Sequence, residues 1–132
     1  MKKSQFLIGL VFLFFMFLFS VNAKGQSRQR VQFERGATSV TLRGIVKGYA
    51  YRDYIIRASA QQQMTISLSA TGISPVFTVF LPNKDNLEGA TQMNDFSGEI
   101  PKDGDYTIRV MLMRAFARRR QSSNYTLEIT IR

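Results

Sequence analysis

Three stretches of the chain alternate apolar and polar side chains with a period of two. Met64, Ile66 and Leu68 alternate with Thr65, Ser67 and Ser69. Tyr106, Ile108, Val110 and Leu112 alternate with Thr107, Arg109, Met111 and Met113. Tyr125, Leu127, Ile129 and Ile131 alternate with Thr126, Glu128, Thr130 and Arg132. Successive side chains of a strand point to opposite faces, so each stretch predicts a strand with one buried and one wet face. Less regular β-rich segments at 31–33, 39–46, 53–58, 76–81 and 96–100 bring the total to about eight strands. Turn residues separate them: Arg35-Gly36, Lys47-Gly48, and the Gly- or Pro-bearing runs 72–75, 82–85 and 101–104. No window shows the spacing of an amphipathic helix, and there is no internal repeat. The pattern predicts an all-β fold, a single antiparallel β-sandwich of about eight strands occupying residues 31–132.

The first residues belong to a different regime. Lys2 and Lys3 precede an almost pure apolar run at 6–19, and Val21-Asn22-Ala23 places small residues where a signal peptidase reads. Residues 1–23 are therefore expected to be a secretory signal peptide of bacterial type, cleaved to leave a periplasmic or extracellular chain. The polar segment KGQSRQR at 24–30 is expected to form a flexible arm. The chain has no cysteine, so neither a lipidated N-terminus nor a disulfide is available, and stability rests on packing and backbone pairing.

Of the 18 basic residues, Lys2 and Lys3 fall in the signal segment, so 16 face 9 acidic ones in the exported chain, a net charge of +7. Most of that excess is arginine, which suits planar, bidentate recognition of carboxylate or phosphate. Export argues against nucleic acid as the partner. Anionic lipid, an acidic polysaccharide or a carboxylate-lined cleft on another protein fit the charge better. Nothing in the chain after residue 23 calls for stable membrane insertion, and a homo-oligomer remains open.

Histidine and cysteine are both absent, which removes the commonest acid/base group, thiolate nucleophiles and ordinary zinc sites. Asp103 and Asp105 flank Gly104 in a spacing that could offer oxygens to calcium, though a turn that starts a strand explains it better, and no metal is expected. Asp95 and Glu99 straddle Ser97-Gly98 without anything to fix their separation. No Gly-rich phosphate loop occurs. No catalytic residue and no cofactor are expected, and the chain is read as not an enzyme. Asn124-Tyr125-Thr126 matches a glycosylation acceptor but starts a strand, and chance explains it.

The segment RVMLMRAFARRRQSSNYTLEITI, from Arg109 to Ile131, places four arginines in a connection between two strands. Arg114, Arg118, Arg119 and Arg120 surround Ala115, Phe116 and Ala117, and five of the twelve arginines lie between Arg109 and Arg120. A hairpin needs only two to five turn residues. Clustering of this kind favours a specific partner over a diffuse membrane contact.

Together, GYAYRDYIIRA (48–58) and GDYTIRVMLMRAFAR (104–118) resemble the periplasmic inhibitors of goose-type (g-type) lysozyme, small exported β-sandwich proteins of Gram-negative bacteria. The resemblance spans roughly 31–131, with a looser likeness to pre-peptidase C-terminal domains. It implies a g-type lysozyme as partner, with loops that enter its substrate cleft and block it. Carried over by motif, Tyr49 of Gly-Tyr-x-Tyr and Arg114 and Arg118 of Arg-x-x-Ala-Arg would be the inserted residues. Arg119 and Phe116 are lesser candidates beside them: Phe116 would be an anchor if exposed on the loop and a staple if tucked under it. The chain departs from the family pattern at Ala115, where asparagine is often found, and at Gln62, where related modules tend to have a turn glycine.

Chemistry supplies a reason for those residues. A lysozyme cleaves a glycosidic bond with at least one carboxyl group held in a cleft. An arginine entering that cleft meets a fixed carboxylate in dry surroundings, where a bidentate pair is strong. Arg114 and Arg118 are four apart, so a helical turn or a tight loop would point both the same way. A tyrosine ring can cover sugar-site surface while its hydroxyl finds a partner. Blander roles are expected elsewhere. Arg119 and Arg120 also fit a solvated turn, Arg109 is expected to pair across a sheet face with Glu128 or Asp53, and Tyr51 and Tyr54 read as core or rim packing. The competing functions are a pre-peptidase-type module gripping carbohydrate or an anionic envelope polymer, and a structural envelope protein holding lipid phosphates. The absence of tryptophan, the usual sugar-stacking residue, weighs against a carbohydrate module.

Overall fold

The computed structural model describes residues 26–132, so the expected signal peptide at 1–23 lies outside the described residues, as do residues 24 and 25 of the expected arm. Eight strands form two four-stranded sheets. They are β1 (Gln26–Val31), β2 (Ser39–Lys47), β3 (Tyr51–Ala58), β4 (Gln63–Ala70), β5 (Val76–Phe80), β6 (Asp95–Glu99), β7 (Gly104–Met111) and β8 (Ser122–Ile131). One sheet has the order β1-β3-β7-β5 and the other β2-β8-β4-β6. A single helical turn, α1 (Arg114–Ala117), interrupts the connection from β7 to β8. It is shorter than any window in which a helical period can register.

The period-two alternation becomes the interior of the sandwich. Met64, Ile66 and Leu68 of β4, Tyr106, Ile108 and Val110 of β7, and Tyr125, Leu127, Ile129 and Ile131 of β8 are all buried in one cluster with Tyr54, Ile56, Phe77 and Val79. The residues between them lie on the outer faces, exposed on β4 and partly covered on β7 and β8.

One expectation is corrected. Residues 26–30 are not a loose arm: they form most of β1, which lies parallel to β3 with Arg28 opposite Asp53 and Arg30 opposite Ile55. Without β1, the N–H and C=O groups along that side of β3 would form an unpaired edge. The strand escapes pattern reading because residues 27–30 are all exposed and only Val31 is buried. Its parallel pairing also makes the sandwich antiparallel in every strand pair but this one. At the other edge, β5 is covered by the segment leading to β6, through bridges of Phe77 with Met93 and Phe80 with Asn86.

Polar groups near the β1/β2 edge are matched to one another. The Tyr54 and Tyr125 hydroxyls lie 2.5 Å apart inside the sandwich. Burial, followed by the neighbouring Tyr54 hydroxyl, pushes the Tyr125 phenol well above the usual tyrosine range. Gly44 sits opposite Tyr125 in the β2–β8 register. A Cβ there would stand 2.6 Å from Arg52 Nη1 and closer still to the Tyr125 hydroxyl, so glycine makes room for both. The Nε of Arg52 donates to the Ser27 hydroxyl at 2.9 Å, which ties this cluster to β1.

Candidate functional site: a tyrosine turn against an arginine loop

β2 and β3 belong to different sheets, yet only Gly48, Tyr49 and Ala50 join them. The Ala50 N–H donates to the Lys47 carbonyl at 3.1 Å and closes a four-residue turn. Gly48 has φ +59, the conformation that the first central residue of a type II′ turn requires. Gly48 itself is buried, whereas the side chain of Tyr49 is 67% exposed.

What buries Gly48 is the arginine connection. Its N–H donates to the Gln121 carbonyl at 2.9 Å. A Cβ on Gly48 would lie 3.8 Å from the Ala117 carbonyl oxygen and 3.9 Å from the Arg120 Cα. The structure thus brings Tyr49 together with the loop of Arg114 and Arg118 at one end of the sandwich, two segments far apart in sequence.

The loop is held by its own middle. Ala117 is buried and Phe116 half-buried against the core cluster. The Phe116 and Ala117 N–H groups donate to the Met113 carbonyl at 3.0 and 2.9 Å, and Arg118 N–H to the Arg114 carbonyl at 3.0 Å. Arg120 takes a positive φ of 53 and turns the chain into β8. Of the two readings of Phe116, anchor or staple, its half-buried place against the core fits the staple under the loop. Arg114 and Arg118, joined by that i to i+4 bond, stand on one side of the turn; both are exposed, as are Arg119 and Arg120. Among the described residues, no carboxylate lies within ion-pairing distance of any of these four arginines. Their charge is left for something outside the domain. Behind them, the Ser123 hydroxyl donates to the Ile73 carbonyl at 2.6 Å and pins the connection between β4 and β5 to the base of the loop.

The other charged candidates are occupied. Arg109 pairs with Asp53, not Glu128: Nε to Oδ1 at 2.8 Å and Nη2 to Oδ2 at 3.0 Å. Its guanidinium also lies 3.9 Å over the Tyr51 ring and 5.1 Å from that of Phe80. The calcium reading of Asp103 and Asp105 gives way to two separate contacts. Asp105 accepts both guanidinium nitrogens of Arg30 at 3.2 and 2.8 Å, and Asp103 accepts the Ala60 N–H at 2.7 Å. Among the described residues, no group of three or more acidic side chains is gathered for a metal. Gln62, at the position of the family's turn glycine, keeps an ordinary backbone, because the positive φ of 72 falls on Gln61.

Two residues at this end went unmarked by pattern reading, Ile45 and Met113. Both are exposed. The signal was in the alternation: Ile45 is an apolar residue in the polar register of β2, after Thr41 and Arg43, and Met113 continues the register of Thr107, Arg109 and Met111 beyond the end of β7.

No family model matches the chain. It is 29% identical over 105 residues to the inhibitor of g-type lysozyme of Escherichia coli K12, covering 77% of this chain and 79% of that protein. The crystal structure of Aeromonas hydrophila PliG, a periplasmic lysozyme inhibitor of g-type lysozyme, superposes with a TM-score of 0.74 at 31% identity. That match covers 81% of this chain and 97% of the other. A pre-peptidase C-terminal domain of a Bacillus anthracis collagenase shares the fold alone, at 15% identity and a TM-score of 0.54 over 84% of this chain and all of that one. These inhibitors are not enzymes, in keeping with a chain that lacks histidine and cysteine. At 31% identity over 81% of its length to one of them, the chain belongs to the family of periplasmic inhibitors of g-type lysozyme.

Proposed function

We propose that the protein inhibits a g-type lysozyme in the periplasm by placing Tyr49, Arg114 and Arg118 in the acidic substrate cleft. The observation that carries this reading is the hydrogen bond from Gly48 to Gln121, which sets Tyr49 beside a loop whose arginines have no carboxylate of their own. The loop is pre-organised by Phe116, Ala117 and the turn into Arg120, so little ordering entropy remains to be lost on binding. A guanidinium that leaves water to meet a fixed cleft carboxylate gains from the low local dielectric, and two of them four residues apart can approach the same wall. Tyr49 adds a rigid ring with a polar tip. Arg119, exposed beside them, adds to the field without a defined contact.

The test is a titration of mature protein against g-type lysozyme, with chicken-type and invertebrate-type enzymes in parallel. Stoichiometric loss of g-type activity alone is expected, relieved at least tenfold by Arg114→Ala with Arg118→Ala. Full lysozyme activity in the presence of excess folded protein would sink the reading and return attention to anionic envelope polymers.

A further inference from the structure

Among the described residues, only four large apolar side chains remain more than a third exposed: Ile45 at 61%, Tyr49 at 67%, Met93 at 39% and Met113 at 47%. A single exposed leucine or isoleucine on a surface means little. These four share a location. Tyr49 is in the turn against the arginine loop, Met113 is the residue before α1, and Ile45 is two residues before the end of β2. Met93 bridges to Phe77, near the start of β5 at the same end of its sheet. No such side chain occurs at the opposite end of the described sandwich.

Ile45 and Met113 come from different sheets, and the Tyr49 turn joins one sheet to the other. Ile45 follows the exposed Thr41 and Arg43 on the outer face of the β2-β8-β4-β6 sheet. Met113 comes two residues after the end of β7 in the other sheet, past Met111, which stands opposite Tyr51 and Val76. Neither side chain is needed inside, because Val46 and Leu112 beside them supply the buried contacts. Next to Ile45, a recess of about 240 Å³ opens between the two sheets, lined by Val46, Ala50, Tyr51 and Arg52.

We infer that Ile45 and Met113 are apolar contacts of the inhibitor, one against each wall of the lysozyme cleft that receives Tyr49 and the arginines. The inference rests on the proposed inhibition of a g-type lysozyme. A wedge entering a cleft meets two walls, and this wedge carries an apolar side chain on each side of a charged tip. Apolar contacts around a charged centre exclude water from it and so strengthen the ion pairs within. They also bind without regard to net charge, so they do not depend on the long-range field of a basic inhibitor.

The experiment measures the affinity of g-type lysozyme for the folded protein by surface plasmon resonance at 50 mM and 500 mM salt. The variants are Ile45→Ser with Met113→Ser, Arg114→Ala with Arg118→Ala, and Thr41→Ser as a control on the same face of β2. The apolar double variant should bind at least tenfold more weakly, through faster dissociation, and by the same factor at both salt concentrations. The arginine variant should lose less at high salt, and the control should stay within twofold, with melting temperatures of all variants matched beforehand. If the apolar variant binds within twofold of the unmodified protein while the arginine variant fails, the flanking contacts are overturned and the inhibitor reading stands. If the unmodified protein does not bind, both are overturned.

Discussion

Gly48 donates its backbone N–H to the carbonyl of Gln121 at 2.9 Å, and this bond couples the inter-sheet turn to the arginine loop. The geometry makes Gly48 a control point for Tyr49. A Cβ at this position has ordinary room, with its nearest neighbours at 3.8 and 3.9 Å, so crowding is not the obstacle. Strain is the obstacle, because φ is +59.

Gly48→Ala is therefore expected to cost about 1–2 kcal/mol from the positive φ alone. Asparagine tolerates that region better, so Gly48→Asn should cost less. Thermal melting should place the alanine variant roughly 5–10 °C below the unmodified protein. Where the turn relaxes, Tyr49 leaves its place beside α1, and inhibition should weaken severalfold even at temperatures where the variant is fully folded. Equal melting temperatures for the alanine and unmodified proteins would contradict the strain argument.

The pair of Asp53 and Arg109 yields a second prediction. Asp53 is only 8% exposed, and the Arg109 side chain is held between it and the Tyr51 ring. Hydrogen bonding to Asp53 is the main influence raising the Arg109 pKa, and a guanidinium is basic enough to stay charged without that partner. Asp53→Ala leaves that charge half-buried and unpaired, at a cost of about 1–3 kcal/mol, toward the low end because water still reaches the guanidinium. Replacing both, Asp53→Val with Arg109→Met, should bring stability back to within about 1 kcal/mol of the unmodified protein. Urea denaturation of the two variants checks this, and a double variant as unstable as Asp53→Ala would show that the pair contributes packing that Val and Met do not replace.

The strands that alternate strictly were legible because both of their faces report: residues 64–69 and 125–131 say which side is core at every second position. β3 was partly legible, since Tyr54, Ile56 and Ala58 line the core but Asp53 and Ile55 are buried on its outer face as well. That double burial breaks the period. β1 could not be read, because an edge strand with only Val31 buried is polar in composition, and what holds it is pairing with a distant strand. The arginine loop was visible as charge out of place in a hairpin. Its neighbour Tyr49 was reached only through family likeness, since the Gly48–Gln121 contact is non-local and leaves no mark in either segment. Whether Phe116 faced in or out depended on a four-residue helix that no periodicity could announce.

The last prediction concerns β1 and acid. Arg30 reaches from β1 to Asp105 at the start of β7, with β3 lying between those strands, and Arg57 of β3 lies 3.9 Å from the same carboxylate. The hydrogen bond from Arg30 holds the Asp105 carboxyl below the usual carboxylate range. A carboxyl depressed in the folded state contributes stability above its unfolded pKa of about 4, and that contribution is lost as pH falls through the folded value. Because the pair is exposed, global stability should hardly register the loss. The local register of β1 should. Amide hydrogen exchange, expressed as protection relative to intrinsic rates, is expected to fall for 27–31 below about pH 4 while the buried strands β7 and β8 keep theirs. Asp105→Asn should lower protection of β1 already at neutral pH and flatten its acid dependence. Protection of β1 that is unchanged in that variant would mean that ladder hydrogen bonds to β3 hold the strand without help from the ion pair.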